Sequence, residues 1–164
     1  MRTSGRGTGL AHCLDHMGCY LRVSGRQFDV DGYVRRGSLP AATIYRRGEP
    51  EFKSKPKGRK ALRSGINVLV SRKHQSDFAG QLKDAVRFLE RHMRAIQALR
   101  RRPGVQDGVL DFGVEPHPEA AMQMNTFSVH LVRLAGQAGL ALELSTWLTD
   151  WEHLGGQQSR ILRR

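Results

Sequence analysis

An α+β fold, with a sheet of roughly four strands and helices packed on one face in a ferredoxin-like arrangement, is predicted by three features of the sequence. Four segments alternate apolar and polar residues with the period of a strand that buries one face. Two segments space their apolar residues at helical intervals. Strands and helices are interspersed along the chain with no fixed-period repeat, which is how a layered α+β domain is built.

Taken in order, residues 1–18 are polar and Gly-rich without periodicity and read as a disordered lead. Cys19 to Ser24 reads as the first strand, with Cys19, Leu21 and Val23 inward, Tyr20, Arg22 and Ser24 outward, and Gly25 ending it. Phe28 to Arg36 predicts a short helix capped by Asp29 that packs through Val30, Tyr33 and Val34. From Pro40 an extended piece, ATIYRRGEP, offers only Ile44 and Tyr45 as sizeable apolar groups. The KSKPKGRK that follows is broken by Pro and Gly and reads as an exposed, mobile basic loop near residues 46–63. Ser64 to Ser71 is a strand, with Ile66, Val68 and Val70 on one side and Asn67, Leu69 and Ser71 on the other.

The longest helix comes next. Ser76 is its expected cap, with Asp77 in the first turn, where negative charge suits the helix dipole. Phe78, Leu82, Ala85, Val86, Leu89, Met93 and Ile96 form its apolar stripe. Lys83, Arg87, Glu90, Arg91, Arg94 and Arg101 occupy the opposite side, with Glu90 and Arg94 at the spacing of a helical ion pair. Pro103-Gly104 stops the helix. The most regular stretch runs from Val109 to Trp147 as strand, helix, strand. Leu110, Phe112 and Val114 face inward from VLDFGVE, Phe127, Leu131, Leu134, Ala135 and Ala138 line the helix, Gly139 ends it, and Leu140, Leu142 and Leu144 face inward from the last strand. A short connection through a helix favours parallel pairing of these two strands. One further turn is expected over residues 149–156 through Trp151 and Leu154. The predicted organisation is a lead at 1–18, one domain over 19–154 and a polar tail at 155–164, and 164 residues suit a single core.

Formal net charge is +12, from 27 Lys and Arg against 15 Asp and Glu. Between Arg35 and Arg63 stand ten basic residues and two acids, so that stretch alone carries +8. Clustering of this kind attracts nucleic acid, an acidic protein or anionic lipid, and it is equally the composition of a solvated basic loop. The polyanion-binding candidates are Arg46, Arg47, Lys53, Lys55, Lys57, Arg59 and Lys60 in the loop, with Arg87, Arg91 and Arg94 on the helix. No apolar run approaches the roughly 20 residues that cross a bilayer, and the N-terminal segment lacks the apolar centre of a secretory signal, so a cytoplasmic protein with no membrane role is expected. Cys13 and Cys19 fit that reducing setting. With His12 and His16 they form a small group of metal-capable residues whose spacing matches no standard zinc pattern, and neither a metal nor any cofactor is expected.

Motifs for catalysis are missing: no GxxxxGK phosphate loop, no GxSxG elbow, no HExxH and no paired CxxC. His117 and His130 have no evident partner. The one constellation left is the wet face of the sheet, on which Arg22, Asn67, Asp111, Glu115, Glu143, Ser145 and Trp147 fall together if the strands pair as expected. Asp111 and Glu143 would then form a carboxylate pair with the residue types of acid–base chemistry. The same acids on an open strand face also simply confer solubility, and Trp147 beside Leu69 would suit a homodimer contact. Base stacking of the kind that uses exposed aromatics on central strands is disfavoured here, because Asp111, Glu115 and Glu143 repel phosphates.

The blocks FDVDGYVRRGSLPAATIYRRGEP, FAGQLKDAVRFLERHMRAIQAL, GVQDGVLDFGVE and LVRLAGQAGLALELSTW resemble successive parts of the bacterial domain of unknown function 4279 family, over about residues 20–147. The resemblance implies a bacterial α+β domain acting as an interaction module of the immunity-protein kind, and it transfers no catalytic residues. Together these readings predict a non-enzymatic protein-binding module. The alternative is a sequence-tolerant nucleic-acid-binding protein that uses its basic loop and helix face.

Overall fold

The computed structural model describes residues 18–51, 54–116 and 122–146. Residues 1–17 of the expected lead, the tail, the turn at 149–156, and Lys53, His117 and Trp147 lie outside the described residues, whereas Gly18, counted in the lead, is buried and its carbonyl accepts from the Gly113 amide at 2.9 Å. The elements are β1 (Cys19–Gly25), α1 (Val30–Arg36), β2 (Thr43–Tyr45), β3 (Ser64–Ser71), α2 (Phe78–Arg100), β4 (Asp107–Val114), α3 (Val129–Ala138) and β5 (Ala141–Thr146). They form one five-stranded mixed sheet in the order β2-β3-β1-β4-β5, an α+β fold.

The first six elements run β-α-β-β-α-β, with β3 inserted between β1 and β2 and β4 on the far side of β1, all neighbours antiparallel. This is the split βαβ arrangement of ferredoxin-like folds. A fifth strand then extends it. Helix α3 carries the chain back so that β5 runs parallel to β4, as a helical crossover requires. The sheet therefore has five strands, not four. The additional one, β2, is only three residues long, too short to display a period of two, and it is set by pairing of Ile44 with Ile66.

Register turns the alternation into a core. Leu21 on the central strand stands opposite Val68 on one side and Leu110 on the other, and Val23 faces Ile66. All of these are essentially inaccessible to water. From α2, Ala85, Leu89, Ile96 and Leu99 close over this face, and from α3 Leu131, Leu134, Ala135 and Ala138 join the same cluster. Phe78, Phe112 and Phe127 meet in a trio with ring centroids 5.3 to 5.8 Å apart, joining the first turn of α2, strand β4 and the approach to α3. Gln81 is fully buried among them, and its Nε2 donates to the Gly113 carbonyl at 2.8 Å and to the His74 carbonyl at 3.1 Å. That side chain fixes the start of α2 against the end of β4.

Caps define the helices. Asp29 receives the Gly32 amide at 2.8 Å and starts α1 as expected, but Val34 is 43% exposed, because seven residues present only one narrow face to the core. Asp77, not Ser76, caps α2 by accepting from the Gly80 amide at 2.9 Å. Ser76 is diverted, its Oγ lying 2.9 Å from Nδ1 of His74. Gly139 ends α3 in the left-handed region at φ 68°.

Truncation at the centre of the phenylalanine trio, Phe112→Ala, is expected to cost about 3–5 kcal/mol in urea unfolding, the range for deleting a buried aromatic ring. Asp77→Ala is expected to cost about 1 kcal/mol, and Ser76→Ala less than about 0.5 kcal/mol, in the same measurement. The reverse order would return the cap to Ser76.

Candidate binding surfaces

The outward positions of the sheet gather into one polar face. Across β3, β1, β4 and β5 the register aligns Leu69, Tyr20, Asp111 and Glu143 in one row, and Thr43, Asn67, Arg22, Val109 and Ala141 in the next. Arg22 crosses diagonally between the rows. Its Nη2 lies 2.9 Å from Oε2 of Glu143 and 3.4 Å from Oδ2 of Asp111, while the Ser145 hydroxyl donates to Oδ1 of Asp111 at 2.7 Å. Side-chain exposures of 38% for Arg22, 15% for Asp111 and 50% for Glu143 show a network seated on the sheet and open above. Arg22, Asn67, Asp111 and Glu143 are thus brought together as expected, and Trp147 lies outside the described residues.

What the structure adds is aromatic. Tyr20 stands beside Asp111, and Tyr45 lies across Gly65, where a Cβ would approach its hydroxyl to 2.3 Å. Burial pushes the Tyr45 phenol up, against a hydrogen bond with Ser24 and the nearby charges of Arg22 and Arg63. No periodic signal marked Tyr45, since its strand is three residues long. Asp111 and Glu143 are neighbours, but a shared guanidinium bridges them and Ser145 takes the second oxygen of Asp111. That is an ion-pair network on an open face. A shallow pocket of about 350 Å³ borders this face at Leu69 and is lined also by Pro40, Ala41, Ala42, Val70 and Arg72, with no carboxylate among them.

The basic candidates divide by their partners. Arg46 forms a two-pronged pair with Asp31, Nε at 3.0 Å and Nη2 at 2.6 Å, and has Glu49 at 3.7 Å. Its hydrogen bond holds the Asp31 carboxyl below the usual carboxylate range and raises Arg46 itself. Arg59 pairs with Glu51 at 3.2 Å, and Arg87 pairs with Asp84. These three of the sequence-predicted cations are already engaged within the chain. Arg47, Lys55, Lys57, Lys60, Arg91 and Arg94 are exposed, and no ion pair holds them among the described residues. Glu90 does not serve Arg94. It meets Nε2 of His130 on α3 at 3.0 Å, which also supplies the partner His130 lacked in the sequence. No interaction among the described residues joins the α2 cations to the loop.

Nor is the basic segment an irregular loop. Gly48 donates to the Ala61 carbonyl and Ala61 to the Glu49 carbonyl, both at 2.8 Å, Glu51 donates to the Arg59 carbonyl at 2.9 Å, and Pro50 bridges Lys60. One antiparallel bridge pins residues 48–51 against 59–61 as a short two-stranded ribbon. Cys19, weighed with His12, Cys13 and His16 as metal-capable, is instead fully buried in β1, and burial pushes its thiol well up, so it is withdrawn from any site at the N-terminus. The other three lie outside the described residues.

Among the described residues no helix is long and apolar enough to cross a membrane. No family model, curated protein or solved structure gives a match to this chain.

Asp84 is the acid that ties α2 to the sheet, accepting from the Ser71 hydroxyl at 2.7 Å as well as pairing with Arg87. The Ser71 hydrogen bond, with smaller help from Arg87 and Lys73 and against desolvation, holds its carboxyl below the ordinary 3.8. A lowered folded-state pKa stabilises the fold fully above the unfolded value and is lost as pH falls through the folded value. Urea midpoints of the native chain should therefore drop more steeply below about pH 4 than those of Asp84→Asn. Parallel acid profiles would remove this tie from the acid sensitivity of the fold.

Proposed function

We propose that this chain is a non-enzymatic protein-binding module whose partner engages the open sheet face. The observation that carries the reading is the asymmetry of the sheet. One face is sealed by helices, while the other keeps Tyr20, Arg22, Asn67, Leu69, Tyr45 and Glu143 at least partly exposed. Tyr and Arg are the residues that dominate protein interfaces. Here the guanidinium is already oriented by two carboxylates, so less side-chain freedom is lost on association. An immunity-like, cytoplasmic role belongs to the same proposal, as a kinship with the bacterial domain of unknown function 4279 family would imply. The acids of this face serve to position Arg22, which favours recognition over acid–base chemistry.

The second reading, a sequence-tolerant nucleic-acid-binding protein, is favoured by one separate observation, the ribbon cations that hold no ion pair among the described residues.

Affinity capture from cells that naturally make the protein tests the first reading, with Tyr20→Ala and Arg22→Ala as face variants and Lys57→Gln as a control. A stoichiometric protein partner is expected, retained by Lys57→Gln and bound at least about tenfold more weakly by Arg22→Ala, the scale of a hot-spot residue. Recovery of no stoichiometric protein, or of one indifferent to both face variants, rules the reading out. A second copy of the chain as the captured species would make the face a homodimer contact, measurable by sedimentation.

A further inference from the structure

The ribbon between β2 and β3 is built to hold charge away from the body of the protein. Its turn is closed by the Gly58 amide donating to the Lys55 carbonyl at 2.8 Å, with Pro56 and Gly58 in the second and fourth positions that a type I turn favours. Its root is neutralised and fixed. Arg46 is anchored to Asp31 on α1, Arg63 pairs with Asp107 on β4, and the Arg47 amide donates to the Ser64 hydroxyl at 3.1 Å. Farther out Lys55, Lys57 and Lys60 are exposed and have no acid partner among the described residues, and at the root the Arg47 guanidinium is likewise exposed without one. Asp111 and Glu143 lie on β4 and β5, toward the opposite edge from the β2 strand that leads into the ribbon.

We infer that this ribbon is a binding site for duplex DNA that enters the major groove and contacts phosphates through Lys55, Lys57, Lys60 and Arg47. The shape supports DNA over other polyanions. A two-stranded ribbon fits the major groove of B-form DNA, roughly 12 Å wide, whereas the major groove of duplex RNA is too deep and narrow for it. Ammonium groups act on phosphates as point charges, so binding is indifferent to sequence. This surface uses none of the sheet-face side chains, and the two assignments fail separately.

The test is fluorescence anisotropy of the full chain with a labelled random-sequence DNA duplex between about 50 and 200 mM salt. Four phosphate contacts predict a slope of log affinity against log salt of about −3.6, a loss of roughly 150-fold over that range. The triple variant Lys55→Gln, Lys57→Gln, Lys60→Gln, its fold checked by circular dichroism, is expected to reduce the slope to about −1. Arg22→Ala is expected to leave it unchanged. Duplex RNA of the same length should bind at least about tenfold more weakly than DNA. The assignment is overturned by absence of DNA binding at 50 mM salt, by a slope that survives the triple substitution, by equal binding of duplex RNA, or by tighter binding to phosphatidylserine vesicles than to DNA.

Discussion

Everything in this fold hangs on the pairing of one strand. β1 is hydrogen-bonded on both sides, to β3 and β4, and its alternation therefore decides both faces of the sheet at once. Inward, Leu21 and Val23 are locked between apolar residues of both neighbours, where slippage by one residue would turn the whole set to water. Outward, the residue between them is Arg22. The register that buries the leucine also fixes the origin of the guanidinium, and its reach across β4 to Glu143 on β5 follows from where β1 lies. Core and surface network are consequences of a single register.

That dependence explains what the sequence could reveal. In β1 and β4 one face is buried, the period of two is visible and the inward residues were readable; β3 and β5 were readable as strands, but a register shift at Cys19/Tyr20 buries Ser71, expected outward, and leaves Val70 partly buried, while Leu144, expected inward, is exposed. The open face was readable for the same reason, because naming the inward residues names the outward ones. Strand β2 was not, since three residues hold no period and its place comes from Ile66 on a neighbouring strand. The cap of α2 was ambiguous between adjacent Ser76 and Asp77, both good acceptors, and it was decided by His74, which occupies the serine hydroxyl. Glu90 illustrates a stronger limit. Helical spacing offered Arg94, but packing of α3 on α2 brought His130 within 3.0 Å, a contact between residues 40 apart in sequence.

Charge was the least readable property of all. A formal excess of +12 says how much cation is present and nothing about how much is already spoken for. Arg46, Arg59 and Arg87 looked equivalent to Lys55, Lys57 and Lys60 as polyanion candidates, yet each arginine holds an acid of the same chain. Where an acid stands within reach, a planar guanidinium with several donors forms a structural pair, as Arg46 does with Asp31. Side-chain type alone does not decide it, since Arg47, Arg91 and Arg94 hold no ion pair among the described residues either.

The same division of labour bears on the carboxylates of the open face. An acid–base pair needs at least one carboxyl whose proton is free to move toward a substrate, and it needs a recess in which that substrate is held. Asp111 has Arg22 on one oxygen and Ser145 on the other, Glu143 shares the guanidinium, and the described pocket lies beside Leu69 and Arg72 instead. The network lies open on the sheet with Arg22 held by both carboxylates, which suits contact with another surface because the long side chain is ordered during folding and the contact loses less entropy when it forms. An oriented polar sheet face and, where β2 leads out of it, a lysine-bearing ribbon are what this register and this charge distribution together produce.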